Sequence, residues 1–89
     1  SPIEIESVLN LHNCIKETCI ISSTNQESEI IALVHLDYRY AFKPKIILNF
    51  CREKLENYKI PNHFVEVDCI DKTESGKIRR KFMKEKHGI

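Results

Sequence analysis

Residues 71–81 read D-K-T-E-S-G-K-I-R-R-K and hold most of the chemistry this sequence offers. Gly76 gives the backbone freedom immediately before Lys77. A lysine there is a long, mobile point charge, able to meet an oxyanion in a neighbouring cleft. The Gly-Lys pair is not a phosphate-cradling loop. That pattern, G-x-x-x-x-G-K-[ST], needs glycine where Asp71 stands and a hydroxyl where Ile78 stands. On residue types alone, Lys77 is either a reaching cation or an ordinary surface lysine ahead of a basic helix.

The basic run continues through Arg79, Arg80, Lys81, Lys84 and Lys86. Charge is unevenly spread: residues 1–37 carry six acidic and one basic side chain, residues 38–89 seven acidic and thirteen basic. Such a face favours an anionic partner, whether phosphate, nucleotide or nucleic acid, or it is simply a solvated helix surface. Few aromatic residues flank the run and the net charge is only +1, which argues against a nucleic-acid-binding module. Cys14, Cys19, Cys51 and Cys69 form no C-x-x-C pair and match no zinc framework, so no metal site is expected, even with His12 beside Cys14. Four reduced thiols, several of them in core positions, fit a cytoplasmic protein. No apolar run approaches the ~20 residues of a membrane span, and no signal-peptide pattern is present.

The elements that must position Lys77 follow from periodicity. The 89 residues make one small domain, 42% hydrophobic and 30% charged, as folded proteins are. Ser1 as N-cap, Pro2 at the first helical position and Glu4 just after form a capping-box arrangement. Ile5, Val8, Leu9 and His12 then recur at helical spacing, predicting a helix from residue 2 to about 11. Residues 14–22 read as a strand, and residues 23–27 as turn chemistry. Residues 29–36 are almost continuously apolar, as in a strand buried on both faces. These two strands suggest an antiparallel hairpin. Pro44 opens a second helix with Ile47, Leu48, Cys51 and Leu55 on one face. Residues 64–67 read as a short strand, 69–76 as polar and irregular, and 79–86 as a third helix with Ile78, Phe82 and Met83 as its apolar face. The order α-β-β-α-β-α is an α+β, two-layer domain.

Residues 73–80, Thr-Glu-Ser-Gly-Lys-Ile-Arg-Arg, resemble the C-terminal lysine motif of adenylate-forming ligases, P-K-T-x-S-G-K-[IV]-x-R-R. That superfamily includes acyl- and aryl-CoA synthetases, peptide-synthetase adenylation domains and luciferases. Three further segments match in the right order. Residues 1–6 (SPIEIE) resemble the family's P-x-E-I-E, residues 29–34 (EIIALV) its L-V-A-F-V strand, and residues 55–64 (LENYKIPNHF) its L-x-x-Y-K-x-P-x-x-F segment. Asp71 replaces the usual proline, and the first hairpin lacks the usual glycines. Neither departure touches Lys77.

The resemblance implies that residues 1–89 are the mobile C-terminal lid of an acid–thiol ligase. Such an enzyme joins a carboxylic acid to ATP, releasing pyrophosphate, and then passes the acyl group to the thiol of CoA or of a carrier protein's phosphopantetheine. By the same resemblance Lys77 is the catalytic lysine of the first step, with Thr73, Ser75 and Gly76 shaping its loop. Arg79, Arg80 and Lys81 are candidate contacts to CoA or a carrier. The large N-terminal domain, holding ATP, Mg2+ and the acid, is expected outside this segment, which alone should neither bind ATP tightly nor catalyse. The sequence around Lys77 and Tyr58-Lys59-Ile60-Pro61 lean towards CoA ligases, since peptide synthetases usually read N-G-K-[VL]-D-R at the lysine.

Overall fold

A computed structural model describes residues 1–23 and 28–89. It contains the helices α1 (Pro2–Leu9), α2 (Pro44–Lys54) and α3 (Arg80–Lys86) and the strands β1 (Ile15–Ser22), β2 (Ile30–Leu36) and β3 (His63–Glu66), in the expected α-β-β-α-β-α order. A short 3-10 turn, Asn57–Lys59, follows α2. The turn expected at residues 23–27 lies, apart from Ser23, outside the described residues.

β1 and β2 pair antiparallel from Ile15↔Leu36 to Ser22↔Ile30, with an irregularity between Ile15 and Glu17. β3 adds to the far side of β2 in parallel, Ile31↔His63 to Val34↔Glu66. A parallel neighbour needs a crossover, and α2 supplies it. β2 is therefore central, and its side chains alternate between two cores. Ala32, Val34 and Leu36 join Ile5, Leu9, Ile47 and Cys51 on one face. Leu33 joins Cys19, Ile21, Val67, Ile70 and Met83 on the other. The continuous apolar run of β2 has this double burial as its cause.

α1 starts at Pro2, but Ser1 makes no side-chain capping bond. Glu4 turns to Lys59 instead, 2.9 Å away, so the expected capping box is not formed. The helix stops two residues earlier than its periodicity suggests. The Leu11 and His12 amides bond back to Val8 and Leu9 in tighter turns, and the Leu11 side chain is exposed. In α2, Ile47 and Cys51 are buried and Leu48 is half-buried, while Leu55, expected on the same face, lies just past the helix end in extended backbone and packs half-buried against the same core. The Phe50 ring stands edge-on to His12 at 4.9 Å.

α3 corrects one expectation. Met83 is completely buried, worth about 2–3 kcal/mol of apolar transfer, and Ile78 packs against the same cluster. Phe82 is not on that face. One residue is a turn of roughly 100° about a helix axis, so seating Met83 carries Phe82 outwards. It lies 38% exposed, with the Arg79 guanidinium carbon 4.1 Å from the ring centroid.

Candidate functional site

The stretch expected to be irregular is an ordered hairpin. Lys72 and Ile78 form an antiparallel bridge at its base. The Thr73 amide donates to the Lys77 carbonyl at 2.8 Å, and the Gly76 amide to the Thr73 carbonyl at 2.9 Å. Below the bridge the Arg79 amide donates to the Asp71 carbonyl at 2.9 Å. Gly76 closes the loop at φ +90°, the left-handed position that ends many three-residue hairpin loops. A Cβ there would meet nothing within 4 Å, so the backbone angle and not space calls for glycine. Thr73 Oγ1 accepts from the Lys77 amide at 3.2 Å and lies 3.0 Å from Ser75 Oγ. Short hydroxyl side chains thus brace a turn from within.

The base of the hairpin is fastened to the domain. Asp71 accepts from Lys86 Nζ at 3.2 Å, and its amide points at the Met83 sulfur. Lys72 pairs with Glu17 of β1 at 2.7 Å. The tip is different. Residues 72–77 are exposed, and among the described residues no side-chain bond holds the Lys77 ammonium. The hairpin therefore presents a cation outwards from a backbone that is held.

Of the other sequence-selected residues, Arg79 and Lys81 are exposed, Arg79 lying over Phe82. Arg80 lines the same shallow groove as Arg79 and Lys81 but is bonded inward. Its Nη1 donates to Glu6 Oε2 and to the Ile20 carbonyl, the latter at 2.6 Å, while Nη2 lies 3.3 Å from Glu6 Oε1. Glu6 Oε2 also accepts the Ile20 amide at 2.7 Å. Hydrogen bonds to Glu6 raise the Arg80 pKa further, against the cost of its partial burial. The neighbouring Cys19 thiol is pushed up to about 11 by burial. Glu6 is the functional-site neighbour that the sequence reading did not single out. The signal was available: Glu6 sits three residues before Leu9, on the buried side of α1, where an unpaired carboxylate is costly.

The apolar groove between α2 and β3, lined by Leu48, Pro61, Phe64 and Ile89 among others, contains none of these residues. Among the described residues, no group of three His, Cys, Asp or Glu side chains could hold a metal ion. No helix there is long and apolar enough to cross a membrane.

Residues 4–77 match the family described as the AMP-binding enzyme C-terminal domain. A 2-succinylbenzoate–CoA ligase from Listeria innocua is 27% identical over 86 residues, covering 97% of this chain and 18% of the relative. Bacitracin synthase 1 from Bacillus licheniformis is 33% identical over 82 residues, covering 92% of this chain and 2% of the synthase. The crystal structure of a benzoate CoA ligase from Burkholderia xenovorans superposes with a TM-score of 0.84 at 29% identity, over 93% of this chain and 18% of the ligase. The chain spans less than a fifth of the length of the relatives it matches.

Proposed function

This chain belongs to the family of AMP-binding enzyme C-terminal domains, and from that membership we propose that it is the mobile lid of an ATP-dependent acid–thiol ligase with Lys77 as its catalytic lysine. The observation that carries the reading is an exposed lysine, its ammonium without a bond among the described residues, at the tip of a hairpin whose base is fastened to the fold. Adenylation brings a carboxylate against the α-phosphate of ATP, joining two anions. A cation presented from outside offsets their repulsion and stabilises charge developing on the oxygens at the transition state. A long side chain on a held backbone can enter a cleft of the N-terminal domain and leave it as the lid turns.

The other ligands divide accordingly. ATP, its Mg2+ and the acid would be held by the N-terminal domain, and Lys77 is this chain's contribution to that step. In the second step the lid turns, and the thiol of CoA displaces AMP. Arg79 and Lys81 are exposed cations suited to the phosphates of CoA. The Ser75-Gly76-Lys77-Ile78-Arg79-Arg80 pattern favours CoA as acceptor. A carrier protein's phosphopantetheine is the second reading, supported by the likeness to a peptide synthetase. Four free thiols suit a reducing compartment, and the cytoplasm is the proposed location.

The test is ATP–pyrophosphate exchange in the intact ligase. Lys77→Ala is expected to lower exchange by about 100-fold or more, the scale set by removing one transition-state donor. Thioester formation from supplied acyl-adenylate is expected to stay near the parent rate, since the lysine has been withdrawn by then. Normal exchange in Lys77→Ala overturns the assignment. The isolated 89-residue chain is expected to show no tight ATP binding by calorimetry.

A further inference from the structure

We propose that Glu6 and Arg80 are positioning residues for acyl-adenylate formation: they clamp the Lys77 hairpin to the body of the domain and fix where the lysine points. The proposal rests on the reading of Lys77 given above.

The clamp is a closed set of bonds across three elements. Arg80, first residue of α3, donates through Nη1 to both Glu6 of α1 and the Ile20 carbonyl of β1. Glu6 completes the set by accepting the Ile20 amide at 2.7 Å. The Glu6 side chain is 8% exposed, so solvent competes little for these bonds. A guanidinium fork fits two acceptors at once in a way an ammonium does not.

Its position on the chain gives the clamp leverage. Only Ile78 and Arg79 separate Arg80 from Lys77. Among the described residues, the tip of the hairpin bonds only within itself, through Thr73, Ser75 and Gly76. The direction of Lys77 is therefore inherited from the base of the hairpin. On one side the base is held by Lys72 to Glu17 and Asp71 to Lys86, both partly in solvent. On the other side it is held by Arg80 in its half-buried clamp. A slight tilt at the base is magnified along the lysine side chain, and small misplacements are costly where charge must meet charge.

A clamp that acts through Lys77 affects the half-reaction that needs Lys77. A residue that merely holds the domain together affects both. The experiment is Arg80→Lys and Glu6→Gln in the intact ligase, assayed for pyrophosphate exchange and, separately, for thioester formation from supplied acyl-adenylate. Each variant is expected to lower the exchange kcat about tenfold while KM for ATP and acid moves less than about twofold. Thioester formation is expected to stay within about twofold of the parent. The double variant is expected to be no worse than the more damaged single one, because the two side chains act as one unit. Equal loss in both half-reactions, or no loss in exchange, overturns the proposal. Should Arg80→Lys fail to fold, Glu6→Gln carries the same test, because its amide oxygen still accepts from Ile20. Lys77→Ala is run alongside. If it leaves exchange intact, the reading of Lys77 fails first and the clamp with it. If it abolishes exchange while the clamp variants exchange normally, the clamp alone fails.

Discussion

Lys77 and Arg80 belong to the same basic run, three positions apart, and occupy opposite surroundings. Lys77 is exposed on a loop that bonds to itself, and nothing among the described residues holds its ammonium. Arg80 is half-buried and bonded to a carboxylate and a backbone carbonyl from two other elements. The difference teaches that a cluster of cations is not one feature. Some of its charges are consumed by the fold, and what remains outside is what a ligand can meet.

The sharpest way to break that contrast is to exchange the readouts. Lys77→Ala, expected to cost adenylation about 100-fold, should leave stability within about 0.5 kcal/mol in urea unfolding. Arg80→Met should instead lower stability by about 3 kcal/mol, because it strands the Glu6 carboxylate out of water. Equal urea midpoints for the two variants would erase the distinction. Gly76→Ala should cost about 1–2 kcal/mol through its positive φ alone, since there is room for the methyl group. Its unfolding midpoint should fall between those of the first two variants.

A fourth expectation uses the thiols buried on the two sides of the sheet. Burial pushes both Cys19 and Cys51 up to about 11 from the ordinary 9.0. The folded state holds these protons to higher pH than the unfolded chain does. The stability involved is therefore intact below about pH 9 and is lost as pH rises through about 11. Melting temperature should fall across that window, and Cys51→Ala should flatten the fall. The smallest effect belongs to Glu4, whose carboxyl is lowered by its hydrogen bond to Lys59. What that pair adds is present at neutral pH and disappears as acid protonates Glu4. Glu4→Gln should change neutral-pH melting barely measurably and remove its share of the acid dependence.

Much of this was legible in the sequence because it is local. Pro2 and Pro44 begin helices where proline is favoured, and both strands of the first hairpin follow from their apolar runs. The α+β order follows from the same signals. Lys77 was singled out as a candidate through the motif around it. What escaped depends on partners far along the chain. Ser1 and Glu4 have the residues of a capping box, but Lys59 competes for Glu4 from another element. Phe82 and Met83 are adjacent apolar residues, and only the seat of α3 against β1 decides which is buried. The hairpin of residues 71–79 is made of backbone bonds between polar residues, which leave no hydrophobic period to read. The partner of Arg80 lies 74 positions away, beyond the reach of any spacing rule.

That separation also bears on how the domain assembles. The β1–β2 hairpin joins neighbours and closes cheaply, whereas the contact between α1 and α3 closes almost the whole chain as one loop. Folding should therefore proceed from the hairpin outwards, with the docking of α3 among the last steps. During synthesis the same order is enforced, because Met83 and Arg80 emerge after everything they cover. Until then Cys19, Ile21 and Leu33 have Val67 and Ile70 beside them but lack Met83. A nascent chain halted before α3 would present one apolar face of its sheet to water, the kind of surface that chaperones bind and that aggregates when they do not.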